Sequence, residues 1–107
     1  MWTIKQGGTM NHFMIDITLP ELLTEEFLSL IPRQRAQVNK LFGEGRLASY
    51  ALSSDRSRLW VTLFAESEEE VSTLVSTFPL RKFMKLEIYR LAFLESANAN
   101  IARISMN

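Results

Sequence analysis

Three ionisable side chains stand where they could move a proton. His12, the only histidine, and Asp16 fall on the same side of the alternating segment MNHFMIDITL (residues 10 to 19), and Glu87 lies in a second alternating segment, FMKLEIYRL (83 to 91). A proton shift beside a carbonyl needs a base that works near neutrality and a donor that stabilises the enolate as charge develops. Histidine is the side chain whose ordinary titration lies closest to that range; the competing reading of His12 is a rim histidine with no part in chemistry. Asp16 is four residues further on, roughly 13 Å away at the rise of a strand, so the two form no direct dyad. Asp16 therefore acts alone or pairs with Lys85 across strands. Glu87 is the alternative base, because burial between two apolar sheets would disfavour its charged form. It would equally suit an Arg or Lys from a second subunit.

Other residues have the character of a binding wall. Trp60 and Tyr89 offer a small molecule flat surfaces and hydrogen-bond handles, and would serve as well in the core of an interface. Ser49 and Tyr50 can each donate to a carbonyl, but adjacent strand residues point oppositely, so one of them at most serves a given pocket. Arg33, Arg35 and Asn39 follow Pro32 on a helical stripe, where a kink can open a cleft and a guanidinium can grip a carboxylate; the alternative is a solvated face. Arg56, in the turn SDRSR at 54 to 58, reads as solvated. No Gly-rich phosphate loop, nucleophile elbow or metal-spaced cluster is present, which disfavours nucleotide, metal and covalent serine chemistry.

Composition narrows the classes further. A chain of 107 residues makes one domain with a thin core, which self-association would help. Twelve Lys and Arg balance twelve Asp and Glu, so no basic excess points to nucleic acid. The absence of cysteine removes disulfides, thiolate catalysis and Cys-based zinc sites and fits a reducing compartment. No apolar run approaches the roughly 20 residues of a membrane-spanning helix, and MWTIKQGGT lacks the basic-then-apolar order of a signal peptide. The expectation is a soluble, cytoplasmic protein with no membrane partner. Its organisation is expected to be a flexible arm at 1–9, a domain at 10–94 and a tail at 95–107, whose Ile101 and Ile104 would pack on a neighbour.

The elements that must position these residues follow from periodicity. Phe13, Ile15, Ile17 and Leu19 alternate with His12, Met14, Asp16 and Thr18, the period of a strand. Thr24 with Glu25 and Glu26 caps a helix whose stripe is Leu23, Phe27, Ile31, Val38, Leu41 and Phe42; Pro32 predicts a kink or a break near residue 31. GEG at 43 to 45 stops it. RLASYALS (46–53) and RLWVTLFAE (58–66) predict a hairpin. Ser67 and Glu70 form a capping box before the stripe Val71, Leu74, Val75 and Phe78, and a last strand is predicted over about 83 to 93.

The order β-α-β-β-α-β is the ferredoxin-like α+β arrangement, a four-stranded antiparallel sheet with both helices on one face. The uncovered face then carries His12, Asp16, Trp60, Phe64, Glu87 and Tyr89, an aromatic surface that suggests a second sheet packed against it.

The strand ending DITLP (16–20), the capped helix after it and FPLRKFMKLEI (78–88) resemble muconolactone isomerase and its relatives in the dimeric α+β barrel superfamily. The resemblance covers residues 10 to about 91 and rests on Pro79, Leu80, Phe83, Met84, Glu87 and Ile88, which are mainly packing positions. It implies face-to-face homodimers, in some members larger rings of dimers. It also implies a small-molecule pocket between sheet and helices or within the barrel, and a cofactor-independent shift of a double bond in an unsaturated lactone. His12 and Asp16 lie where the isomerases tend to carry a histidine and an aspartate. The hairpin's first strand departs from the pattern: Leu47, Ser49, Ala51 and Leu52 stand where the isomerases are rich in Trp, His and Arg. Two functions are therefore in view. One is an isomerase acting on a small unsaturated lactone or carboxylated metabolite, with His12 or Glu87 as proton carrier; the other is a non-catalytic dimeric module that binds a small ligand or simply assembles. The oxygenase or heme-handling chemistry found elsewhere in the superfamily is a third.

Overall fold

Strict alternation in β1 (Asn11–Thr18) gives the sheet its two faces. Phe13, Ile15 and Ile17 are 1%, 0% and 0% exposed, whereas His12, Met14 and Asp16 on the opposite side are only half-buried. The computed structural model describes residues 10–97; the arm at 1–9 and the packing expected of Ile101 and Ile104 lie outside the described residues. After β1 come α1 (Glu25–Gly43), the hairpin strands β2 (Leu47–Leu52) and β3 (Arg58–Ala65), α2 (Glu68–Val75), a 3-10 turn at Arg81–Phe83 and β4 (Lys85–Arg90). The sheet order is β2-β3-β1-β4, with every neighbouring pair antiparallel. This is the expected ferredoxin-like α+β fold, with β1 and β3 at its centre. Among the described residues no helix is long and apolar enough to cross a membrane.

Both helices start on side-chain caps. Thr24 Oγ1 accepts from the Phe27 amide at 3.2 Å and Ser67 Oγ from the Glu70 amide at 3.1 Å. The Glu70 carboxylate closes its box one residue early, on the Glu66 amide at 2.7 Å. At the end of α1, Gly45 takes φ 74°, and the amides of Gly45 and Arg46 bond the carbonyls of Phe42 and Leu41. That is a Schellman stop, which an L side chain at Gly45 would strain.

Three local details differ from the periodicity. Pro32 does not break α1, which is one helix through it; Pro32 and Leu28, whose carbonyl loses its donor, both lie on the solvent side. The last strand is shorter than expected, because the 3-10 turn at Arg81–Phe83, braced by the Arg81 guanidinium on the Met84 carbonyl at 3.1 Å, delays its start. In β2 the register steps from Leu47 opposite Leu63 to Ser49 opposite Thr62, so Ala48 is an extra residue, a β-bulge. The bulge reverses the parity of β2, and Leu47 and Tyr50 share the helix side while Ser49 and Ala51 share the other.

The core lies between the helices and one sheet face: Phe13, Ile15, Ile17, Val61 and Leu63 from the sheet, Phe27, Val38 and Leu41 from α1, Val71 and Val75 from α2. Ile15→Ala should cost about 2–5 kcal/mol, since it removes a fully enclosed side chain from the central strand. Thr18→Ala, on the exposed end of the same strand, should stay within about 0.5 kcal/mol. Urea unfolding of the two variants measures the contrast.

Candidate functional site

The sheet divides the candidate residues between two surfaces. Pairing aligns them in rows across the uncovered face: Phe64 with His12; Ser49, Thr62, Met14 and Tyr89; Ala51, Trp60, Asp16 and Glu87; Arg58, Thr18 and Lys85. His12 therefore lies two rows from both Asp16 and Glu87 and packs instead edge-on to Phe64, ring centroids 4.8 Å apart. Asp16, Glu87, Trp60 and Tyr89 are brought together. The ion pair expected between Asp16 and Lys85 is not formed: Lys85 and Arg58 flank Thr18 from opposite sides, both diagonal to Asp16, and it is Arg58 that donates from Nη1 to both Asp16 oxygens at 3.0 Å. Glu87 faces Asp16 directly, is exposed in this chain, and accepts from the Tyr89 hydroxyl at 3.3 Å. That carboxylate, the largest influence on it, raises the Tyr89 phenol above its ordinary 10.0. Ser49 bonds Thr62 at 2.5 Å and has its polar atom engaged.

The other surface is a cleft of about 560 Å³ between α1 and the β2–β3 hairpin, within the range of small-molecule sites. Leu19, Leu23, Phe27, Ile31, Val38 and Leu59 form much of its wall, and Leu80 and Met84 contribute from the segment before β4. Of the sequence candidates, Tyr50 and Arg35 line it, together with Asn39 one turn beyond Arg35; Arg33 does not. Arg56, expected to be merely solvated, lines it too.

One of its polar groups, Tyr50, is fixed from beneath. Gln34, 3% exposed, occupies the apolar stripe of α1 between Ile31 and Val38. Its carbonyl oxygen accepts from the Leu80 amide at 3.1 Å, which leaves its amide nitrogen to donate to the Tyr50 hydroxyl, also at 3.1 Å. The Tyr50 oxygen is thus an acceptor toward Gln34, and its own proton is available for another group. Burial pushes the Tyr50 phenol up, more than the Gln34 bond lowers it, so it remains a neutral donor near pH 7.

The hairpin turn carries Arg56 with φ 64°. One Asp55 oxygen holds that turn, accepting from the Ser57 amide at 2.9 Å and from the Ser53 and Ser57 hydroxyls at 2.7 Å each. Among the described residues, no three His, Asp or Glu side chains converge as a metal set.

Gln34 and Arg56 are the site residues that periodicity missed. A lone Gln on a helix's apolar stripe was the legible sign of the first, while its partners at residues 50 and 80 were not. Nothing in the sequence marked Arg56.

Comparison with known proteins gives the fold and stops there. No family model matches the chain, and no curated protein matches it. Among solved structures, the chain is similar to uncharacterized protein TM1266 from Thermotoga maritima, with a TM-score of 0.51 at 8% identity, over 78% of this chain and 99% of that one. It is also similar to a structure described as "Putative antibiotic biosynthesis monooxygenase from Nitrosomonas europaea", with a TM-score of 0.48 at 12% identity, over 87% and 100% of the two chains.

The hydrogen bonds of the serines hold the Asp55 carboxyl at about 2, below the usual 3.8. A depressed folded-state value contributes stability that is present above pH 3.8 and lost as pH falls toward 2. Asp55→Ala should therefore be less stable than wild type at pH 7, with the gap narrowing as pH falls from 4 to 2. Urea midpoints at the two ends of that range test this.

Proposed function

We propose that this protein binds a small, mainly apolar molecule in the cleft beneath α1 and acts as a homodimer closed through the uncovered sheet face. One observation carries the reading: an apolar cleft that opens from the core and contains a phenol, Tyr50, held as a donor by the buried Gln34. The lining includes no His, Asp or Glu, so a proton shift inside it has no base among the described residues. The dimer rests on the other surface, where Trp60 and Tyr89 remain 39% and 49% exposed beside Phe64 and Met14. A second sheet would cover them.

A second reading, the double-bond isomerase, is favoured by Asp16 and Glu87 facing each other, with the Arg58 bridge made to Asp16 and not to Glu87. Enclosed between two sheets, Glu87 would be the proton carrier and Tyr89 the donor, with His12 at the rim. Its substrate would be an unsaturated lactone.

Calorimetric titration with a neutral apolar probe, methyl 1-naphthoate, tests the first reading. Binding to wild type should be lost in Asn39→Trp, which fills the cleft from its exposed rim. Binding that ignores that substitution would overturn it. Turnover of muconolactone that disappears in Glu87→Gln or His12→Ala, with folding intact, would install the isomerase in its place.

A further inference from the structure

The chain has no net charge, yet the cleft is charged in one sense only. Its lining residues include two arginines, Arg35 and Arg56, and no Asp or Glu. The ion pairs found among the described residues join Arg46 to Glu70, Arg58 to Asp16 and Lys82 to Glu26, so neither cleft arginine is neutralised by one of them.

The backbone adds a separate observation at Arg56. With φ 64° it holds a left-handed conformation that glycine adopts freely and that strains an L residue. The turn thus carries a side chain where glycine would sit without strain, at a position that lines the cleft.

We infer that the ligand of this cleft is an organic acid with an apolar body, its anionic head held by Arg35 and Arg56 and a further oxygen taken by the Tyr50 hydroxyl. The inference rests on the cleft being the binding site. The three polar groups divide the work. The guanidiniums supply charge-assisted bonds that an anion exploits more strongly than a neutral ester. Tyr50 supplies a neutral bond that any carbonyl oxygen accepts, and Gln34 is a positioning residue that fixes its direction. The apolar wall selects the body by area and shape alone.

The test compares 1-naphthoate with its methyl ester, two probes that share a body and a carbonyl and differ in charge, by calorimetric titration of the full chain. The acid should bind about tenfold more tightly than the ester. Arg35→Met and Arg56→Gly should each remove most of that preference, weakening the acid by several-fold more than the ester. Tyr50→Phe should weaken both probes by about fivefold. Arg56→Gly relieves the left-handed backbone and should unfold at no lower urea concentration than wild type, so a lost preference in that variant is not lost folding. Equal affinity for acid and ester in wild type, or a preference that survives both arginine substitutions, overturns the inference and leaves the cleft as a neutral apolar site. If Asn39→Trp changes the binding of neither probe, the cleft reading falls and the inference falls with it.

Discussion

Burial of one side of β1 is the constraint on which the rest of this structure depends. As a central strand it pairs with β3 on one edge and β4 on the other, and Phe13, Ile15 and Ile17 meet Leu63, Val61 and Leu59 across one register and Ile88 and Leu86 across the other. A slip of one residue would turn every one of these side chains away from the helices. The register in turn fixes which polar residues share the uncovered face, and so brings Asp16, Glu87, Trp60 and Tyr89 into adjoining rows.

Two helices cannot cover two faces of a four-stranded sheet, and the chain handles this asymmetry in different ways on the two sides. On the helix side, α1 does not seal the hairpin completely, and the gap becomes the cleft. The bulge at Ala48 matters here, since without it Tyr50 would face away from α1 and out of reach of Gln34. On the other side the sheet keeps a mixture of rings and carboxylates. The ion pair there among the described residues, Arg58 with Asp16, is partly exposed and contributes at most about 1 kcal/mol.

The fold was legible because its signals are local. Alternation in β1, the caps at Thr24 and Ser67 and the glycine stop at Gly45 each act over a few residues, and together they set the order of elements. The site was legible only in part. Alternation placed Asp16, Glu87, Trp60 and Tyr89 on one face, but could not say that Arg58 and not Lys85 reaches Asp16, because both flank Thr18 diagonally to Asp16 and the choice lies in side-chain reach. The bulge reassigns Tyr50 and Ser49 without any glycine or proline to announce it. Gln34 gains meaning only from the Leu80 amide, 46 residues away in the chain, and Arg56 only from the turn that aims it at α1.

The central claim is that ligand enters between α1 and the hairpin, on the opposite side of the sheet from Asp16 and Glu87. Methyl-labelled NMR during titration with 1-naphthoate addresses it directly, because the methyl groups of the two surfaces do not overlap. The account predicts that the signals of Leu23, Ile31, Val38 and Leu52 move with saturation while Met14 stays in place. Shifts of Met14, with the Leu23, Ile31, Val38 and Leu52 methyls undisturbed, would contradict it and put the ligand on the uncovered face.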